Sequence, residues 1–339
     1  MTFTSRSKLA FLAALLAAAC AAAAPAAHAA GPVFKIAHVV PQGDPRDVAA
    51  RFVADRMKSS GTCPMEGQVF PAGQLGSTTD LIEGMQIGSV EAVVLPASFL
   101  VGFQPVMGIF DFPYFWPDDL QKLLALHGSD AVRKLLDTTD SQGVHSMAIW
   151  HTGYKQWTGN QALTKPADYQ GKRARVMPSS MLVQGQKALG LTPVDMPFPE
   201  TYNALQSGAI SAQENPASTS FLMGLQEVQK FMTLTRHGTL DQVFMVSKAW
   251  YDGLSADCRG ALDAAVQAGR EVVAQETQKA EQKAMEGMRA AGVEIVTPSA
   301  EELAGLRQAT LPKVREAFVA QTGGQGRALL EAVEAEMGR

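Results

Sequence analysis

From residue 33 onward the chain alternates short apolar runs with longer stretches of helical spacing. Residues 33–39 read as a strand, closed by Val40-Pro41-Gln42-Gly43-Asp44-Pro45. Over residues 47–58 the positions Val48, Phe52, Val53 and Met57 fall on one helical face. Residues 65–70 predict a second strand. Residues 77–87 predict a helix with Ser77 as N-cap and Leu81, Ile82 and Met85 on its apolar face. Residues 90–95 form an apolar run suited to a buried parallel strand. This β-α-β-α-β order is that of an α/β domain. It restarts with strands at 144–150 and 172–176, a helix at 180–189, an extended piece at 194–196, a helix opened by Pro199 and a strand at 210–212. After a strand at 241–247, residues 256–291 predict one continuous helix of about 54 Å. That exceeds a small domain, so the helix is expected to span two. A strand at 293–296 and two helices close the chain.

The first 30 residues break this pattern. Arg6 and Lys8 precede a run of Leu, Phe, Ala and one Cys over residues 9–24, followed by Ala27-His28-Ala29. A basic start, a short apolar stretch and a small-residue site make a secretory leader. The run of about 16 residues falls short of the roughly 20 that a membrane span needs. Cys20 lacks a bulky aliphatic residue three places before it, where Ala17 stands, so cleavage after Ala29 is favoured over lipid attachment. Export leaves two cysteines, Cys63 and Cys258, which an oxidising compartment can pair or leave as separate thiols.

The 339 residues include 29 basic and 33 acidic ones; two of the basic ones lie in the leader, so the exported chain carries a net charge of −6. This opposes nucleic acid or an anionic membrane surface as the main partner. An anion would have to be held by locally placed cations. No phosphate-binding loop, zinc-protease helix or nucleophile elbow is present, and Gly323-Gly324-Gln325-Gly326 reads as a turn. Neither a cofactor nor a resident metal is expected.

Three stretches carry more information. They are Phe70-Pro71-Ala72-Gly73-Gln74-Leu75-Gly76, the aromatic-rich residues 108–118, and residues 171–216, which contain Met196-Pro197-Phe198, Glu200-Thr201-Tyr202-Asn203 and Gln213-Glu214-Asn215-Pro216. As a set, and in this order, they resemble the solute-binding proteins of TRAP transporters, the tripartite ATP-independent periplasmic uptake systems, of the dicarboxylate-binding type. The resemblance implies a two-lobed α/β protein, each lobe a mostly parallel sheet flanked by helices, with a long helix across both. It implies a leader at 1–29, a first lobe of 30–151 plus 241–280, and a second of 152–240 plus 281–339. It further implies a periplasmic, non-catalytic binder that delivers a small carboxylate to a membrane permease; a monomer is the default expectation. Arg175 would grip the carboxylate and Asn215 would orient it. Lys155 stands where a second cation, more often Arg, is found; it offers charge without the planar fork. The stretch Leu95-Pro96-Ala97-Ser98 lacks the polar residue common at that place in the first lobe.

Read from the residues, Arg175 lies at a strand end, where ligands of α/β sheets bind, and its guanidinium suits a carboxylate. Phe198 and Trp150 are candidate apolar walls. His38 and Gln42 end the first strand and are candidates for the cleft. Ser77 is a cap whose helix N-terminus could also face an anion. One Arg plus one Lys suits a monocarboxylate or a small dicarboxylate; sugar acids, hydroxy acids and amino-acid derivatives fit as well. Two rival readings share the ligand: a periplasmic lyase or hydrolase, which needs an acid or base beside Arg175 and finds His151 as its least poor candidate, and a subunit reporting to a membrane sensor.

Overall fold

The computed structural model describes residues 33–338, so the leader, its cleavage site and Cys20 lie outside the described residues. The strands β1 (Val33–Ala37), β2 (Glu66–Phe70) and β3 (Ala92–Pro96) and the intervening helices α1 (Pro45–Lys58) and α2 (Thr78–Gln86) form the first α/β unit. β1 lies between β2 and β3 and is parallel to both. Asp44 caps α1 by accepting from the Arg46 amide, with Pro45 in the first turn. α3 (Leu120–His127) and α4 (Asp130–Asp137) lead to β4 (Val144–Tyr154).

β4 continues past the apolar run that ends at Trp150. It reaches Tyr154, passes through Lys155 and enters a second sheet as β5 (Gln156–Gly159). There follow α5 (Pro166–Tyr169), β6 (Arg173–Val176), α6 (Ser180–Ala188), β7 (Thr192–Asp195), α7 (Thr201–Gln206), β8 (Ala212–Asn215), α8 (Ala217–Leu222) and β9 (Phe231–Thr233). β10 (Thr239–Ser247) returns to the first sheet, antiparallel to both β3 and β4. The chain ends with α9 (Lys248–Gly253), α10 (Ala256–Ala290), β11 (Glu294–Val296) and α11 (Ala300–Glu336). The two sheets run β2-β1-β3-β10-β4 and β11-β9-β5-β8-β6-β7. Each is mixed rather than mostly parallel, with two antiparallel pairings apiece. The strand that opposes its neighbours, β10 in one and β5 in the other, is in each case at a crossing between lobes.

Alternation along the first sheet's central strands fills two cores. Val93, Leu95 and Val243 face a core completed by Phe110, Phe112, Leu135 and the end of α11. Ala92, Val94 and Phe244 face α1 and α10 through Val53, Met57, Leu262 and Val266. In the second sheet β8 sits two residues later than the apolar pattern indicates. Ile210 joins a small cluster with Leu205 and Leu225 instead. The strand itself, Ala212-Gln213-Glu214-Asn215, is polar yet fully buried. Its side chains satisfy one another and their neighbours: Gln213 donates to Thr158 at 2.9 Å and Ser220 at 3.2 Å, and accepts from Asn215 at 2.6 Å.

α10 spans 35 residues, about 52 Å, and serves both lobes as its length requires. Leu262, Val266 and Val273 pack on the first sheet, and Ala284 and Met288 pack with Met232 and Val293 of the second. Two glycines let large rings lie against its backbone. A methyl at Gly269 would come within 2.6 Å of the Trp150 indole, and one at Gly287 would collide with the Phe221 ring. α11 is broken at Gly323 (φ 62°, ψ −143°), which marks the junction of two helices. Leu306, ahead of the break, packs with Trp157 and Tyr169 of the second lobe. Phe318, Leu330 and Val333 pack in the first lobe's core. Among the described residues no helix is long and apolar enough to cross a membrane.

Cys63 and Cys258 are joined, with Cα atoms 5.0 Å apart and 195 residues between them in sequence. The bridge ties the turn before β2 to the first turn of α10. A closed loop of that length predicts a loss of roughly 2–5 kcal/mol on removal. Cys63→Ser/Cys258→Ser should melt several degrees below the wild type. A reductant should lower the wild-type melting temperature and leave that of the variant unchanged.

Candidate functional site

Between the two sheets lies a cleft of about 640 Å³, lined from one side by residues of the β1–α1, β2–α2 and β3 ends and from the other by the β6, β7 and β8 ends. Both sets are carboxyl ends of parallel strands, where backbone diverges and leaves a crevice. Arg175 reaches it from β6, one residue before that strand ends. The residue is 2% exposed. Its Nε donates to the Met196 carbonyl at 3.3 Å, and its own carbonyl accepts from Gln186 Nε2 at 3.0 Å. The guanidinium carbon sits 5.4 Å from the centre of the Phe198 ring, within cation–π range. Nη2 is buried and has no hydrogen-bond partner among the described residues. Burial draws the Arg175 pKa down to about 10 against the opposing influence of Glu214 and Asp195, so the side chain stays charged at neutral pH. A buried charged donor without an acceptor is costly, and an anion entering the cleft would relieve that cost.

Asn215 ends β8 and also lines the cleft; it is the last residue of its strand and not the first beyond it. Phe198 opens a short turn of 3₁₀ helix at residues 198–200 and forms part of the wall. Ser77 lines the cleft as well, at the head of α2. It is occupied as a cap: its hydroxyl accepts from the Asp80 amide at 3.3 Å, and the Asp80 carboxylate accepts from the Ser77 amide at 2.8 Å. Asp80 thereby neutralises much of the positive helix end.

Four other candidates lie outside the cleft's lining. Trp150 is fully buried in the first lobe, and its indole N–H donates to the Val266 carbonyl at 3.2 Å. His38 is 1% exposed and pairs with Asp47 at 3.2 Å; burial lowers its pKa, partly offset by Asp47. Gln42 is exposed in the turn that follows β1. Lys155 is buried between β4 and β5, where its Nζ lies 3.9 Å from Asp111. It lines a separate small cavity of about 30 Å³ together with Asp111, Glu214 and His237. His151, the candidate acid or base, is buried against Asp241 at 2.9 Å and is likewise outside the cleft.

Lys155 therefore acts on the site from beneath. Burial opposes ionisation of Glu214, but Lys155, then His237 and Arg175, outweigh it and hold the carboxyl at about 2. His237 bonds Glu214 through Nε2 and Thr235 through Nδ1 at 2.7 Å. Its ring stacks on Trp157 with centroids 5.2 Å apart. Glu214 is thus a fixed anion next to Asn215 in the strand.

Arg46, Asp195, Phe99 and Met177 also line the cleft and were not marked as candidates by sequence. Asp195 ends β7 and was open to the same strand-end argument that found Arg175. Arg46 follows a capping Asp and a Pro, so it reads as an ordinary helix start. Its guanidinium closes on Asp44, Nε to Oδ1 at 2.6 Å and Nη2 to Oδ2 at 2.8 Å.

The depressed Glu214 pKa has a stability consequence. A carboxyl lowered on folding stabilises above its unfolded pKa of about 4, and that contribution fades as pH falls towards about 2. Glu214→Gln leaves Lys155 and His237 without their counter-charge, a loss on the order of 3–5 kcal/mol for a buried pair. Melting curves from pH 7 to pH 2 should show a deficit relative to wild type that is largest near neutrality and narrows below about pH 4.

Comparison with known proteins gives a consistent picture. The family model described as bacterial extracellular solute-binding protein, family 7, matches residues 36–321. The C4-dicarboxylate-binding periplasmic protein DctP of Rhodobacter capsulatus is 30% identical over 90% of this chain and 91% of its own. The ectoine-binding periplasmic protein TeaA of Halomonas elongata is 28% identical, covering 90% and 89%. Among solved structures, a TRAP periplasmic solute-binding protein from Desulfovibrio salexigens with bound orotic acid superposes with a TM-score of 0.87 at 31% identity, covering 90% of this chain and 98% of that one.

Proposed function

Because this chain belongs to family 7 of the bacterial extracellular solute-binding proteins, binders and not catalysts, we propose that Arg175 anchors a small organic acid which the lobes enclose and deliver to a TRAP-type permease. The observation that carries the site assignment is the buried Nη2 of Arg175, a charged donor left without an acceptor at the cleft. A carboxylate there would form charge-assisted hydrogen bonds worth roughly 1.5–3 kcal/mol each. Asn215 would fix the orientation of the bound acid, and Phe198 would cover one face while holding the guanidinium plane. Glu214, Lys155 and His237 position this set without touching ligand.

In this reading the leader is removed after about Ala29, and the mature chain works in the periplasm as a monomer. Residues 30–151 plus 241–280 move as one lobe and 152–240 plus 281–339 as the other, with the last turns of α11 seated on the first. The hinge lies where β4 passes into β5, where the chain enters β10, and within α10. Ligand bridging the lobes favours the closed state by its stronger contacts there.

A thermal-shift screen of the mature protein against small carboxylates tests this. A ligand at about 100 times its Kd adds roughly 2.7 kcal/mol, enough to raise the melting temperature by a few degrees. Arg175→Ala should abolish the shift. Arg175→Lys should retain a small part of it, because it keeps the charge and loses the fork. Unchanged carboxylate binding in Arg175→Ala would remove the site assignment.

A further inference from the structure

We propose that this cleft selects a monocarboxylate with an apolar, ring-sized body over compact dicarboxylates and polyhydroxy acids. The proposal rests on the capture reading above and refines it. Its first support is the charge inside the cleft. Of the two cations expected from sequence, Lys155 lies beneath the site and is matched to Asp111 and Glu214. Arg46 does line the cleft, but its bidentate pair with Asp44 leaves no net charge. The head of α2 already carries Asp80 as its anion. Asp195 adds a negative charge to the lining. Among the described residues, Arg175 is left as the one cation in the lining with an unpartnered buried N–H. It can receive one carboxylate; a second would enter with Asp195 near and no uncompensated cation to meet it.

The second support is the chemistry of the walls. Val39 and Phe99 face the cleft from the first lobe, and Met177, Met196, Phe198 and Leu240 complete the apolar lining. β3 ends there in Pro96, which has no amide to donate. The neutral polar side chains on the first-lobe side are Ser77, Thr78 and Thr79, and the hydroxyl of Ser77 is committed to its cap. A polyhydroxy acid would give up more hydrogen bonds to water than these walls return. An aliphatic or aromatic body would give up none and would gain from leaving water.

Calorimetric titration of the mature chain with phenylacetate, 4-methyl-2-oxopentanoate, succinate, galactonate and neutral phenylacetamide, at one salt concentration, decides the matter. At least one of the two apolar monocarboxylates should bind about tenfold or more tightly than succinate and galactonate, and phenylacetamide should not bind measurably. Phe99→Ser should weaken the favoured acid about tenfold and spare succinate. Asp195→Asn should narrow the gap by improving succinate. Circular dichroism establishes that each variant is folded, and the wild-type ranking stands without them. If succinate or galactonate binds tightest and Arg175→Ala still abolishes it, selectivity for an apolar monocarboxylate is overturned while capture at Arg175 survives. If no carboxylate binds, or Arg175→Ala changes nothing, the capture reading falls and takes this one with it.

Discussion

A guanidinium held almost wholly out of water has to be balanced, and at Arg175 the balance comes from behind the cleft. Glu214 acts on it electrostatically from the adjacent strand β8 and is kept ionised by Lys155 and His237. Lys155 can do this because it stands where β4 gives way to β5, the point at which the chain leaves one sheet for the other. Asp111, from the first-lobe side, lies 3.9 Å from the same ammonium and accepts from Ser98 at 2.6 Å; burial raises its pKa against the pull of Lys155. The cluster of charges that supports the ligand-facing Arg therefore draws on both lobes and on the crossing between them. Remove one member and another is left charged in a low-dielectric interior, which is why the set behaves as a unit.

A second buried cluster lies along the same crossing. Asp241 of β10 is flanked by His151 at 2.9 Å and His127 at 3.3 Å. Burial opposes its ionisation, yet the two imidazoles hold the carboxyl well below the usual range. This accounts for His151 without chemistry on a ligand: its Nδ1 is committed to Asp241, outside the cleft's lining. Both crossing strands are thus fixed by polar contacts where an apolar core would otherwise have to continue across the gap.

Much of this architecture is legible in the sequence because it rests on periodicity. The β-α-β-α-β order of the first unit, the capped start of α2 and the full length of α10 all follow from residue spacing. β8 was misplaced because its polar side chains look like surface and instead bond to one another. At the site, position along a strand was readable and direction was not. Arg175 and Asn215 stand at strand ends that open on the cleft, and Asp195 met the same criterion unnoticed. Trp150 stands in β4, which runs on to Tyr154, and its side chain turns towards α10 over Gly269. Lys155 sits at a change of sheet, where no alternation rule says which way a side chain points. The cysteine pairing is beyond local reading altogether, since the bridge joins positions 195 residues apart.

The bridge also gives α10 a mechanical character. Its first turn is bonded covalently to the turn before β2, and its next turns are bedded in the first lobe as far as Val273. Ala284 and Met288, about three and four turns further on, belong to the second lobe's packing. The helix is therefore a cantilever clamped at one end. In the proposed closure, bending between the lobes would fall between Val273 and Glu281, whose carboxylate accepts from the Ser218 amide at 2.7 Å; within that stretch the buried hydroxyl of Thr277 has no partner among the described residues. A clamped beam returns to its rest position once the load is gone, so under the proposed closure the covalent bond at the far end of the helix would help set the stiffness of the spring that reopens the cleft.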